Sequence, residues 1–270
     1  MNFDLDGHTV YAYTGGKPFD AHLPGVVFVH GALHDHSVWI LQSRYLAHHG
    51  HAVLAVDLPA HGRSAGEPLG VAAASRWLVG LIEASGMRRV ALVGHSMGSL
   101  IALEAAAQLR ERASALVMVG AGYPMKVSPK LLALCQRDAL AAIDLVNALS
   151  NSTHAAKPSH PGPGFSIHSG NRALLRRMQN GHRGGNLFLA DFAACDAYAG
   201  FEAAAPQVTC PVTLVLGARD QMTPPASASP IVAAFAPRVV TLPTGHNLMA
   251  EAPDGVLGAI TDALGSQQPR

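Results

Sequence analysis

Along the chain, continuous runs of β-branched and other apolar residues recur, each followed by a small or polar turn and then a stretch of helical periodicity. That rhythm is the sequence form of βαβ units on a parallel sheet, whose strands are covered on both faces and so read as unbroken apolar runs. Six runs predict buried strands: Val26 to His30, Ala52 to Asp57, Val90 to Val93, Ala115 to Val119, Val212 to Leu216 and Arg238 to Leu242. Asn2 to Asp6 and Thr9 to Tyr13 predict an antiparallel edge pair, because the intervening Asp6-Gly7 favours the left-handed dihedrals of a tight hairpin turn. Helical periodicity falls on Val38 to His48, Val71 to Ser85, Met97 to Arg110 and Pro253 to Leu264.

Between Ala121 and Pro206 this rhythm stops. Helical patterns at Pro129 to Leu149 and Asn171 to Gln179 flank the segment Lys157 to Gly164 (KPSHPGPG), whose prolines and glycines forbid a continuous helix. So long a segment without a strand is either a helical lid or an irregular loop, and the helical patterns favour the lid. The expected organisation is an α/β core of residues 1–121 and 207–270, a mostly parallel twisted sheet flanked by helices, with a helical lid of residues 122–206 inserted into it.

Composition narrows the class of function. Hydrophobic residues make up 49% of the 270 residues and charged residues 14%, which excludes charge-driven disorder and fits one large core. The formal net charge is +1 and no long Lys/Arg run occurs, so the electrostatic footprint of a nucleic-acid or anionic-membrane partner is missing. The start, MNFDLDGHTV, is acidic where a signal peptide is basic, and no apolar stretch reaches the roughly 20 residues of a membrane span. The expectation is a cytoplasmic monomer or homodimer acting on a small molecule, with no nucleic-acid or membrane partner. Cys135, Cys195 and Cys210 are widely spaced and read as reduced thiols, and His48, His49 and His51 read as a solvated helix end, not a metal site.

Chemistry concentrates at three turns that follow strands. Gly94-His95-Ser96-Met97-Gly98 sits between the run VALV and a helical stretch, the context a nucleophile elbow needs: a sharp strand-to-helix turn presents the serine, and only small residues two positions away let it pack. Asp220 follows the strand run ending in VLGARD, and His246 lies in Pro243-Thr244-Gly245-His246 after the last predicted strand. Each residue alone has an ordinary reading, as a loop serine, a capping aspartate or a loop histidine. Their order Ser, Asp, His, all at what would be the carboxyl edge of one sheet, is the order of an α/β-hydrolase triad.

With these residues in place the chain resembles the serine-nucleophile, esterase-like branch of the α/β-hydrolase superfamily. Further matching segments are His30-Gly31 with Trp39 downstream, Asp57-Leu58-Pro59-Ala60-His61-Gly62-Arg63-Ser64, Gly217 to Asp220, and Gly245-His246 followed by Glu251 and Pro253. The second usually carries Gly where this chain has Ala60. The resemblance implies that Ser96 is the nucleophile, His246 the general base and Asp220 its orienting acid, and that Ala32 and Met97 donate the two oxyanion-hole N–H groups. No metal or organic cofactor is implied. His30, Leu33 and Tyr123 are the substrate-binding candidates: His30 would also order its loop, and Tyr123 stands as a pocket wall or as lid packing. His34 and His36 either line the pocket or lie on the surface.

The implied activity is hydrolysis of a carboxylic ester or related acyl bond through an acyl-enzyme. A serine at the elbow disfavours relatives with an aspartate nucleophile, such as haloalkane dehalogenases and epoxide hydrolases. Carbon–carbon bond hydrolases, cofactor-free haloperoxidases or perhydrolases, and a triad-bearing small-molecule receptor remain as alternatives.

Overall fold

A computed structural model describes residues 1–152 and 166–265; the Lys157 to Gly164 segment lies outside the described residues. Its strands are β1 (Asn2–Leu5), β2 (His8–Tyr13), β3 (Gly25–Val29), β4 (Ala52–Val56), β5 (Val90–His95), β6 (Ala113–Val119), β7 (Val212–Gly217) and β8 (Arg238–Leu242). They form one sheet in the order β1-β2-β4-β3-β5-β6-β7-β8. The first two pairings, β1 with β2 and β2 with β4, are antiparallel, and all those from β4 to β8 are parallel. The hairpin forms at the expected turn, where Asp6 (φ 54°) and Gly7 (φ 78°) both take left-handed dihedrals.

β3, β4, β5 and β7 are buried along their whole length, as their unbroken apolar runs require. β8 differs from expectation. Arg238 to Leu242 is partly exposed throughout, with Val239 44% accessible, because this last strand is bonded to β7 on one side alone.

The helices of the core are α1 (Ile40–His48), α2 (Val71–Ser85) and α3 (Met97–Leu109). The insertion after β6 supplies α4 (Pro129–Arg137), α5 (Ala139–Ser150), α6 (Ile167–Gly181) and α7 (Leu187–Ala197), and the chain continues through α8 (Phe201–Ala204), α9 (Ser229–Phe235), α10 (Leu248–Glu251) and α11 (Pro253–Gly265). Side chains alternate across β3, so Val27 and Val29 join a core with α2 and α3 while Val26 and Phe28 join one with α1 and α11. Burying each such side chain contributes about 1.5–3 kcal/mol.

The insertion has an apolar core of its own, built from Cys135, Ile143, Leu175, Leu187, Phe188 and Phe192 among others. The single helix expected over Pro129 to Leu149 is two helices. Asp138, extended at φ −150°, accepts the N–H of Ala141 and starts α5 where α4 has ended. An aspartate so placed offers the backbone a cap that competes with helix continuation. α7 carries no helical stripe for the periodicity to reveal: its sequence LFLADFAACDA is apolar around most of its circumference.

Candidate active site

Ser96 lies between the end of β5 and the start of α3 with φ 52° and ψ −121°, a conformation that costs a non-glycine residue about 1–3 kcal/mol. The surroundings hold it there. Its N–H donates to the Val119 carbonyl at 2.9 Å, and its own carbonyl accepts from the Ser99 N–H at 2.8 Å and the Ser99 hydroxyl at 2.6 Å. The flanking glycines are required by contact: a Cβ on Gly94 would strike the Gly98 carbonyl, and one on Gly98 would strike the carbonyls of Val29 and His30.

Asp220, buried in the turn after β7, accepts through Oδ1 from the N–H groups of Met222 (2.8 Å) and Thr223 (2.9 Å). Its Oδ2 receives the Thr223 hydroxyl at 2.9 Å and His246 Nδ1 at 2.7 Å. Burial opposes the charge, but His246 and the Thr223 donors outweigh it and hold the carboxyl below its usual range. A carboxylate at Nδ1 fixes the proton there and leaves Nε2 as the basic atom of His246.

Two neighbours fix the His246 loop. His95 Nε2 donates to the His246 carbonyl at 2.9 Å, and burial keeps His95 neutral by pushing its pKa well below the ordinary value. Buried Glu251 accepts the N–H of Gly245 at 3.2 Å and that of Ser152 at 3.0 Å through Oε1. Across the site, Gly120 leaves room that a Cβ would fill to within 3.4 Å of His246 Cε1.

Ser96 and His246 line one cavity of about 240 Å³, together with Ala32, His34 and His95 from the core. The insertion supplies an apolar wall that includes Leu131, Val146, Leu175, Phe188 and Phe192. Ala32 lines this cavity, and Met97 is buried at the first position of α3, directly after Ser96.

The other substrate-binding candidates lie elsewhere. His30 is fully buried behind the loop, with Nε2 accepting the Leu58 N–H at 3.1 Å. The Leu33 side chain packs into the insertion's core. Tyr123 stacks on Phe201 with ring centroids 4.6 Å apart and donates its hydroxyl to Glu202 at 2.8 Å, so it packs the base of the insertion. None of the three lines the cavity beside Ser96. Of the two open histidines, His34 lines it and His36 is turned away, bonded through Nδ1 to Asp57 at 2.7 Å. The wall residues of α6 and α7, Asn171, Phe188 and Phe192, had no sequence signal tying them to the site, because only the tertiary packing of the insertion brings them there.

Asp35, His36 and Asp57 cluster closely enough to suggest a metal site. Their oxygens are already engaged: Asp35 with Ser37 and Arg177, Asp57 with the N–H groups of His36 and Arg63. The cluster reads as a loop anchor. The three cysteines are free thiols, and among the described residues no helix is long and apolar enough to cross a membrane.

The alpha/beta hydrolase family matches residues 26–259 of this sequence, and the chain belongs to that family. The fold is shared with an enol-lactonase from Burkholderia xenovorans LB400 (TM-score 0.82, 20% identity, 98% of this chain and 100% of that one). It is also shared with an esterase from Exiguobacterium antarcticum (TM-score 0.80, 16% identity, 97% of each chain). A curated relative, the dihydrolipoyllysine-residue acetyltransferase component of the acetoin cleaving system of Cupriavidus necator, is 31% identical over 119 residues. That match covers 43% of this chain and 30% of the relative, so the chain spans well under two thirds of that protein's length.

Proposed function

We propose that this protein is a serine hydrolase that cleaves a carboxylic ester or related acyl bond of a small molecule, with Ser96 as nucleophile, His246 as general base and Asp220 as the residue that orients it. The observation that carries this reading is the 2.7 Å bond from His246 Nδ1 to a buried Asp220 oxygen, with His246 and the strained Ser96 lining the same cavity.

In this reading His246 Nε2 takes the Ser96 proton as the hydroxyl oxygen attacks the substrate carbonyl, and the N–H groups of Ala32 and Met97 receive the negative charge of the tetrahedral intermediate. The helix dipole of α3, whose N-terminus follows Ser96, favours charge at the same place. Collapse releases the alcohol with the proton held by His246 and leaves an acyl group on Ser96. Water, deprotonated by the same histidine, then releases the acid.

The helical insertion acts as a lid that shapes the acyl side of the pocket. Its apolar wall of Leu131, Val146, Leu175, Phe188 and Phe192 suits an uncharged acyl group, since a charge against those side chains would lose its hydration. The names of the enol-lactonase and esterase that share the fold are consistent with chemistry at an acyl–oxygen bond. The test is kcat/KM on p-nitrophenyl esters of increasing acyl length with thioester and amide analogues alongside: turnover of the esters supports the reading, and no turnover of any acyl compound contradicts it.

A further inference from the structure

The two peptide units that flank Ala32 are each held by a buried side chain. In a trans peptide the C=O and N–H point in opposite directions, so fixing one aims the other. His30 Nε2 accepts the Leu58 N–H, which leaves the ring proton on Nδ1, and that atom donates to the Gly31 carbonyl at 2.8 Å. The bond sets the Gly31–Ala32 peptide and with it the direction of the Ala32 N–H.

The next peptide is held from the insertion. Asp191 of α7, only 2% exposed, accepts the Leu33 N–H through Oδ2 at 2.7 Å. Leu33 sits at φ 55°, a left-handed conformation that a leucine does not hold unaided. The same oxygen accepts from His61 Nε2 at 2.9 Å, while His61 Nδ1 faces the Pro59 carbonyl at 2.9 Å. With oxygen acceptors at both ring nitrogens, His61 is built to carry both protons; burial opposes that charge, but the Asp191 carboxylate outweighs it and raises the His61 pKa. The His30 ring, 4.9 Å from that of His61, is kept neutral by burial and by the charge of His61, its pKa lowered to about 4.

We infer that Asp191 is a positioning residue that ties the insertion to the oxyanion loop: by holding the Ala32–Leu33 peptide and the left-handed Leu33 turn it keeps the Ala32 N–H, whose direction His30 sets, at the cavity as an oxyanion donor while α7 is seated. This rests on the serine-hydrolase reading above and extends it: the segment that covers the pocket also completes the catalytic machinery beneath it. A substrate that unseats α7 is then bound without being turned over efficiently, which makes the seating of the insertion a check on the acyl group. His30 has the companion role from the core side, and neither residue touches the substrate.

The test compares kcat and KM on p-nitrophenyl butyrate with the inhibition constant of a trifluoromethyl ketone of the same acyl length, whose adduct on Ser96 carries the oxyanion that the ground-state ester lacks. Asp191→Ala is expected to lower kcat about 100-fold, the scale of one lost oxyanion donor, and to weaken the ketone by the same factor. KM should change by less than about threefold, because the contact is made to the transition state. Asp191→Asn, whose amide oxygen still accepts from Leu33, should lose only about two- to tenfold in kcat. An alanine variant with wild-type kcat and ketone affinity, or one that loses activity through KM alone, overturns the inference. Should the alanine variant not fold, the asparagine variant decides: a modest parallel loss in kcat and ketone binding supports the role, and wild-type values for both overturn it. A wild-type protein that neither turns over the ester nor binds the ketone would remove the serine-hydrolase reading itself.

Discussion

His95, the residue immediately before Ser96, donates from Nε2 to the backbone carbonyl of His246 at 2.9 Å, so the Ser96 turn and the His246 loop are tied together directly. Replacing His95 with Phe keeps an aromatic ring but strands a buried carbonyl without its donor. The expected outcome is a loss of about 1–3 kcal/mol in stability, read from urea denaturation, with kcat reduced by about tenfold or more as the His246 loop loosens. Unchanged stability and kcat would mean that Asp220 and Glu251 suffice to hold the loop.

Acyl preference should follow the cavity wall and not the insertion at large. Leu131, Leu134 and Leu145 all fall in the helical pattern of Pro129 to Leu149, yet of the three only Leu131 lines the cavity. Leu134 packs against the insertion's own core, and Leu145 is 43% exposed. Leu131→Ala is expected to shift the ratio of kcat/KM between long and short acyl esters by about 1–3 kcal/mol, and Leu145→Ala to leave the ratio unchanged. Equal shifts at both positions would contradict the placement.

The strands and the Ser96 turn were legible in the sequence because each depends on local signals: apolar runs for β3 to β7, the Asp6-Gly7 pair for the hairpin, glycines two positions either side of Ser96. The Ser, Asp, His order was legible for the same reason, since all three follow strands. What was not legible depends on contacts between distant segments. Leu33, Tyr123 and His30 adjoin the site in sequence, but their side chains turn into packing; Phe188 and Phe192 reach the cavity through a helix with no apolar stripe to announce it. Asp138 is a local signal of another kind, a cap in the middle of an apolar pattern that periodicity alone reads through.

Ala60 stands where the resemblance implies a glycine. It takes φ 69°, in the left-handed region. A Cβ there costs roughly 1–2 kcal/mol, partly offset by the lower unfolded-state entropy of alanine relative to glycine. Ala60→Gly is therefore expected to stabilise the protein by about 0.5–1 kcal/mol and to raise Tm by about 1–4 °C in a thermal melt. A lower Tm would show that the alanine methyl contributes packing that outweighs the strain.

Acid should weaken the fold through its buried neutral histidines. Burial lowers the pKa of His30 to about 4 and also lowers those of His34 and His95. Their folded-state pKa values lie below the unfolded value near 6.5, so the stability they contribute is complete above that pH and is lost as pH falls through the folded values. His61 has the opposite sign: its raised pKa contributes stability below the unfolded value, which is lost as pH rises through the folded one. For His30 alone the slope between about pH 6.5 and 4 is about 1.4 kcal/mol per pH unit. Urea midpoints should thus fall between pH 7 and pH 5, together with an imidazole signal for His30 that does not titrate in that interval. A midpoint that stays flat or rises on acidification would contradict the neutral burial of this group.

The proposed hydrolysis requires that Ser96 form the covalent intermediate. Intact-mass measurement after exposure to a fluorophosphonate is expected to give one adduct per chain on the wild type, mapped to Ser96, and none on Ser96→Ala. The same variant should remain folded and lose ester hydrolysis by roughly four to six orders of magnitude. An adduct on another residue, or a Ser96→Ala protein that keeps most of its esterase activity, would contradict the account.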